Sequence, residues 1–460
     1  MRALLAVAVD YLVGVVDRLP NAPASDITGV PELLADPTLR RLPGESGRPL
    51  PELLDVLDRA AAKGFNPASP GYLAFIPGSG LVSAAIADLV ADVLNRYTGV
   101  AFPAPALVAL EADLLRWLAD LFGLPTSAAG ILTTGGSLAT LSGLITARSV
   151  RLPENFLDGT IYVTEQVHQS VVKSARLAGF PERAVRIVAV DGELRMDVDA
   201  LRAAVASDRA AGRQPFCVVA NAGTTNTGTI DPLPAIADVA ETEGLWLHVD
   251  AAYGGFFQLT ERGRHRLRGV ERADSLVLDP HTGLFLPFGT GCLLVRDREL
   301  LRRAHSGEDA HYLQDIGDTS VPNFSDYGPE LTRDFRGLRL WLPLHLHGIA
   351  AFRAALDEKL DLAELAYDEL AADPHLRVLA PPDLSTVAFR CRLRDRCESA
   401  EDEATAELLR RVNAEQRVLL SSTRIAGRYV GRISVLNHRT DPARVTEAVR
   451  AVRRHAAAVA

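Results

Sequence analysis

The sequence predicts an α/β protein: a mainly parallel central sheet flanked by helices, with an N-terminal arm before it and a small C-terminal α+β domain after it. Three observations carry this. Short apolar runs ("GILTT", "TIYVT", "VRIVAV", "FCVVANA", "LWLHVDAA", "SLVLD", "CLLVRD") alternate with helical stretches between residues 71 and 295, a pattern that belongs to strands covered on both faces of a sheet. Residues 20–51 are rich in Pro, Gly and Asp, which reads as an extended arm with short helical pieces. Past residue 346, a long helical stretch gives way to "VAFRCRL", a helical "ATAELLRRVNAEQ", "YVGRISVLN" and a closing helix, the makings of a smaller α+β part.

Taken in order, the chain opens with "MRALLAVAVDYLVGVVDRL". An Arg before an apolar run can mimic a leader, but Asp10 and Asp17 interrupt the run and its apolar positions recur at helical spacing, so an amphipathic helix resting on an apolar surface is expected. No segment reaches the roughly 20 uninterrupted apolar residues of a membrane span. The expected partition is an arm over residues 1–75, a large α/β domain over 76–345 and the small domain over 346–460. With 460 residues, 48% hydrophobic and 23% charged, the composition is that of a globular protein with a large core. The net charge of −9 disfavours nucleic acid or an anionic membrane as the main partner. Cys217, Cys292, Cys391 and Cys397 show no CxxC spacing; neither a metal site nor a disulfide framework is indicated, and a reducing cytoplasm fits best.

Four stretches could carry chemistry. In "GILTTGGSLATLSGLITAR" a strand runs through a Gly-Gly-Ser turn into a helix; Gly136, Ser137 and the first helical N–H groups could hold a phosphate, or the glycines could merely start the helix. Asp250 closes the apolar strand of "LHVDAAYGG", where ligand sites of α/β sheets cluster. A carboxylate there is a metal ligand, a structural acceptor, or the partner of a cofactor ring nitrogen, as in pyridoxal phosphate sites. His168 follows the strand "TIYVT" and is either a satisfied loop residue or an imidazole lying over an aromatic cofactor. "ANAGTTNTGTIDPL" makes a tight turn after another strand.

The order of these pieces is far more specific than any one of them. TxGGS, a His on the next strand–helix unit, AGTTxTGxxD, HVDAA and DPH, continued by "LTRDFRGLRLWLPLHLHG" and "GRISVLNHRT", resembles the group II pyridoxal-phosphate-dependent amino acid decarboxylases. The resemblance covers nearly all of the chain from about residue 50 and implies the fold type I architecture. It implies phosphate contacts from Gly136, Ser137 and His281, a ring-stacking His168, Thr225 beside the ring, Asp250 on the ring nitrogen and the small Ala252 beneath it. It implies a homodimer with the active site at the interface and an embracing N-terminal arm. Tyr327 is matched to the mobile-loop tyrosine, an acid–base group. Tyr72, Phe75 and Phe102 are candidates for an apolar substrate pocket, favouring an aromatic or aliphatic amino acid, and equally candidates for core.

Two departures stand out. "SPGY" at 69–72 replaces the family's His-Pro-x-Phe, and Thr282 in "DPHT" stands where the Schiff-base lysine belongs; Gly283 replaces an adjacent aromatic. Lys173, on the helix after His168, reads as a solvated residue. Three readings follow. The protein is a decarboxylase with Thr282 in place of its lysine, binding pyridoxal phosphate non-covalently and turning over poorly. Alternatively it is a lysine-free relative using His281, His168 or Tyr327 for other chemistry, on a pre-formed aldimine, with pyridoxamine phosphate, or with no cofactor. Or it is a non-catalytic paralogue, a binding or regulatory subunit. Retention of Gly136, Ser137, His168, Thr225, Asp250 and His281 argues against the third, and a single substitution in a matching site favours the first.

Overall fold

The computed structural model describes residues 1–307, 321–393 and 397–459. Two compact units make up the chain. One comprises Gly80–Glu364 and Ala380–Val387, the other Met1–Ser79, Leu365–Leu379 and Ala388–Ala460.

The larger unit is built on seven strands: β1 (Ala129–Thr133), β2 (Gly159–Thr164), β3 (Val185–Val188), β4 (Gln214–Asn221), β5 (Trp246–Asp250), β6 (Ser275–Leu278) and β7 (Gly291–Val295). They are the seven apolar runs of the sequence, in the spatial order β1-β7-β6-β5-β4-β2-β3. From β3 to β6 all neighbours are parallel, so their carboxyl ends share one edge. β7 runs antiparallel to both β6 and β1. The reason is the short link from β6, which holds one helical turn, Pro280–Gly283, and no helix able to carry the chain back for a parallel return. Every residue of β2, β5, β6 and β7 is buried, as expected for strands with helices on both faces.

Several polar groups in this core are hydrogen-bonded. The indole N–H of Trp246 and the Nδ1 of His248 each lie 2.7 Å from the Ser275 hydroxyl. The histidine of "LHVDAA" is therefore a core residue, and burial depresses its pKa to about 4. On the outer side of edge strand β1, the Leu132 carbonyl accepts from Arg333 and Arg336, each at 3.3 Å. Arg333 pairs with Glu111 at 2.7 Å, both side chains fully buried. An edge covered in this way cannot pair with another strand.

In the second unit, β8 (Leu376–Val378), β9 (Thr386–Cys391, from Ala388 onward in this unit), β10 (Leu419–Ile425) and β11 (Arg428–Ser434) form a sheet in the order β8-β9-β11-β10, extended by the two-residue strand Tyr72–Leu73. The helices Glu398–Ala414 and Pro442–Val459 belong to this unit. Ahead of them, the expected N-terminal helix spans Arg2–Arg18 and buries no side chain. It meets the helix Leu50–Ala61 through Asp58, which accepts from Tyr11 at 3.3 Å and Arg18 at 2.9 Å. Leu4, Leu5, Val9, Leu12, Val13 and Val16 along it are exposed. All four cysteines are free thiols, and among the described residues no helix is long and apolar enough to cross a membrane.

Candidate functional site

The larger unit brings the strand-end motifs of the sequence to one edge. β1 leads into Gly135, whose φ of +151° is open to glycine, and the helix Gly136–Arg151 starts at the next residue. Gly291, first residue of β7, packs so tightly on this turn that a Cβ there would come within 2.3 Å of the Gly135 carbonyl carbon. The turn's N–H groups head a sixteen-residue helix, a ready seat for an anion. Ser137 is exposed at the same helix start.

The segment after β6 faces this turn. The segment "PHT" is a helical turn: Asp279 O accepts the N–H groups of Thr282 and Gly283 at 2.9 and 3.1 Å, and Pro280 starts it with its preset φ. The Asp279 carboxyl oxygens lie 3.0 and 3.2 Å from the place a Cβ would occupy at Gly136. His281 Nε2 is 3.7 Å from Asp279 Oδ2, and its Nδ1 donates to the Thr290 carbonyl at 2.7 Å. Burial lowers the pKa of His281. The Thr282 hydroxyl lies 2.8 Å from two carbonyl oxygens, those of Ala252 and Asp279. Gly283 is required sterically, since a Cβ would come within 2.6 Å of Phe256 Cβ.

Asp250 ends β5 and is buried, its Oδ1 accepting one bond, from Ala252 N at 3.1 Å. Burial raises its pKa, opposed by that bond and by nearby His168. Burial and the charge of Asp250 raise the pKa of Asp279 as well, against a bond from the Gly136 backbone, and its Oδ1 is buried without a hydrogen-bond partner. Two buried carboxyls close enough for the charge of one to raise the pKa of the other, with few donors between them, make a site suited to a cationic group. A pyridinium at Asp250 and a phosphate at the Gly135–Gly136 turn match what these residues offer.

His168 caps the helix Gln169–Leu177, its Nδ1 accepting from the Ser170 amide at 3.3 Å and lying 2.7 Å from the Ser170 hydroxyl. That fixes the Nε2–H tautomer of the neutral ring and leaves the imidazole exposed. The turn after β4 is held by Thr224 N→Thr229 O at 2.9 Å and Gly228 N→Thr224 O at 2.8 Å, with Thr225 half-buried in it. Asn226 donates to Gln166 at 3.1 Å, tying this turn to the approach to His168. Asp231 is structural: buried, it accepts the amides of Asn221 and Met196 at 2.7 Å each.

Tyr327 is buried, packs edge-on against Phe324, and no hydrogen bond joins it to His168, Asp250 or Thr282 among the described residues. Phe102 is exposed in the same unit. In the other unit, Tyr72 sits in a small core with Ala24, Ala74 and Leu419, while Phe75 is 47% exposed with φ of +55°. Lys173 is exposed on its helix. Sequence reasoning left Asp279, Gly135 and Thr290 without roles. Asp279 was legible as the residue before the Pro-His pair, whereas Thr290 acts through its carbonyl, which no side-chain pattern reveals.

Comparison with known proteins gives the family and the fold. The family model described as the pyridoxal-dependent decarboxylase conserved domain matches residues 62–392. The aromatic-L-amino-acid decarboxylase of Bacillus atrophaeus is 34% identical over 448 residues, covering 96% of this chain and 92% of that protein. The L-2,4-diaminobutyrate decarboxylase of Rhizobium meliloti is 32% identical, with 86% and 81% covered. Among solved structures, an Oryza sativa TDC with PLP and tryptamine superposes with a TM-score of 0.93 at 28% identity, covering 99% of this chain and 97% of that one. A turn for an anion, a buried carboxylate at the end of β5 and a family match across most of the chain lead to one conclusion: the chain belongs to the pyridoxal-dependent decarboxylase family and has its fold type I architecture.

Proposed function

We propose that the protein binds pyridoxal phosphate non-covalently and acts on the α-carboxylate of an apolar or aromatic L-amino acid, as a carboxy-lyase whose turnover is limited by Thr282. The observation that carries this reading is the buried Asp250 carboxyl, which accepts a single backbone bond at the carboxyl end of β5. A positive ring nitrogen facing it would keep Asp250 ionised, and the protonated ring supplies the electron sink of this chemistry. The first-turn N–H groups of helix Gly136–Arg151, Ser137 and His281 would hold the phosphate. His168 would cover the ring from the side of Gln166 and Thr225, and Ala252 would leave room beneath it.

Thr282 has no amine, and its hydroxyl is already engaged by backbone carbonyls. Condensation with the substrate amine and release of the product then proceed without help from a protein amine, and removing such a nucleophile costs several orders of magnitude in rate. The names of the relatives support an aromatic substrate more than a polar one, though a diaminobutyrate decarboxylase stands among them. The working form is a homodimer: the exposed apolar residues of helix Arg2–Arg18, and those of helix Val82–Leu94 (Ile86, Leu89, Val90, Val93), support a covering copy. Four free thiols fit a cytoplasmic setting.

The test is a titration of the purified protein with pyridoxal phosphate, then with an amino-acid panel, following the cofactor's absorbance and carbon dioxide release. Saturable binding, a spectral change larger with phenylalanine or tryptophan than with glutamate, and strong gain of decarboxylation in Thr282→Lys are expected. Absence of cofactor binding would remove the proposal.

A further inference from the structure

His281 is held by a neighbour that no strand-end motif includes. The carbonyl that takes its Nδ1–H belongs to Thr290, the last residue of the turn Phe288–Thr290 before β7. Arg339, on the helix Arg336–His347, reaches that turn with one guanidinium nitrogen. Its Nη1 lies 2.9 Å from Thr290 Oγ1, 3.1 Å from Gly289 O and 3.4 Å from Phe288 O. Its Nε donates to Asp88 at 2.6 Å, on the helix Val82–Leu94. Gly289 takes a φ of +95°, which glycine adopts freely, and Arg339 Nη1 ties both Thr290 and the carbonyls of this turn to one point.

We infer that Arg339, anchored by Asp88, is a positioning residue that fixes the tautomer of His281. By holding the Phe288–Thr290 turn, it commits Nδ1–H to the Thr290 carbonyl, so Nε2 is the ring nitrogen left for an anion on the Gly135–Gly136 turn. The ring edge is in place for this: Cε1 lies 3.9 Å from the Cβ position of Gly135. In the neutral ring Nε2 has no proton to give. His281 can therefore donate to a phosphate oxygen only as the imidazolium, and binding of the anion takes up one proton. The charged and titratable groups around the ring are Asp279 on its own turn, Asp250 on β5 beyond it, and Arg339 with Asp88 behind it. Asp279, whose Oδ2 is 3.7 Å from Nε2, is placed to pair with the imidazolium once it has formed. This rests on reading the Gly135–Gly136 turn as the phosphate seat.

The experiment uses the full chain without added cofactor. Histidine ring nitrogens are 15N-labelled and the His281 signals assigned by loss in His281→Gln. The wild type should show the Nδ1–H tautomer alone. Arg339→Met should show a mixture and bind inorganic phosphate about tenfold more weakly, the effect of one displaced charge-assisted bond. Arg339→Lys, which keeps the charge but not the fork, should fall between. Calorimetry of phosphate binding in two buffers of different ionisation enthalpy should report net proton uptake in the wild type and none in His281→Gln. Should Arg339→Met fail to fold, Asp88→Asn gives the same readouts. An unchanged tautomer with unchanged phosphate affinity in these variants would overturn the inference. Failure of the wild type to bind pyridoxal phosphate would remove the proposed function and leave the tautomer result standing, so the two can fail separately.

Discussion

Thr282 has one hydroxyl proton and two carbonyls at 2.8 Å to give it to, so its side chain ends in the backbone that surrounds it. A lysine at this position would have to leave those carbonyls and extend past them, which is why Thr282→Lys tests reach as well as chemistry. Asp250 gives a sharper prediction. Loss of a charge-assisted bond is worth about 1.5–3 kcal/mol, so Asp250→Ala should weaken pyridoxal phosphate binding by roughly 10- to 100-fold, measured by equilibrium dialysis. Among the described residues its Oδ1 bond to Ala252 is the one side-chain bond lost, so thermal stability should change far less than affinity. Gly283 makes the opposite case. With Phe256 Cβ 2.6 Å from any added Cβ, Gly283→Ala should destabilise the protein by about 1–3 kcal/mol, seen in urea unfolding. The aromatic residue that the family resemblance suggested for this position has no room in this packing.

At the level of elements, the edge strand β1 depends on a buried pair far away in sequence. Arg333 and Glu111 are fully buried and 2.7 Å apart, and Arg333 also serves the Leu132 carbonyl. Removing one partner strands a buried charge. Arg333→Met alone should therefore cost about 3–5 kcal/mol, and Arg333→Met with Glu111→Leu should recover much of it, a difference that unfolding of both variants reads directly. Strand β5 carries a pH dependence. The folded pKa of His248 is about 4, against an ordinary 6.5. Between those values the unfolded chain binds more protons, so this contribution is complete above pH 6.5 and is lost as pH falls towards 4, about 3 kcal/mol in total. His248→Gln should flatten that part of the stability profile. The seven strands were legible because each is a continuous apolar run, and Asp250, His168 and the Gly-Gly-Ser turn were legible because each follows such a run. The placement of β7 between β1 and β6 was not, because apolar content carries no direction. The Arg339–Thr290 contact was not legible either, because it joins residues 49 positions apart through one backbone turn.

For the whole molecule, the exposed leucines and valines of helix Arg2–Arg18 set the prediction. Sedimentation should find a dimer, and Leu12→Asp with Val16→Asp should shift it towards monomer with a parallel loss of cofactor affinity, since in the proposed reading the site is completed by the second copy. The three-part division expected from sequence remains a proposal about function. By contacts within the chain, Leu365–Leu379 and Ala388–Ala460 group with Met1–Ser79, a grouping of distant segments that no local pattern announces. The pairing of Gly291 with Thr133 also bears on how the protein is made. A ribosome releases β1 long before β7, and the glycine turn after β1 acquires its backing only when residue 291 has emerged and docked. Contacts spanning such a separation form late because closing the intervening chain is entropically costly. Nascent chains ending before β7 would carry the glycine turn without the strand that packs on it, so in the proposed reading a phosphate is held only after the antiparallel strand has closed the sheet.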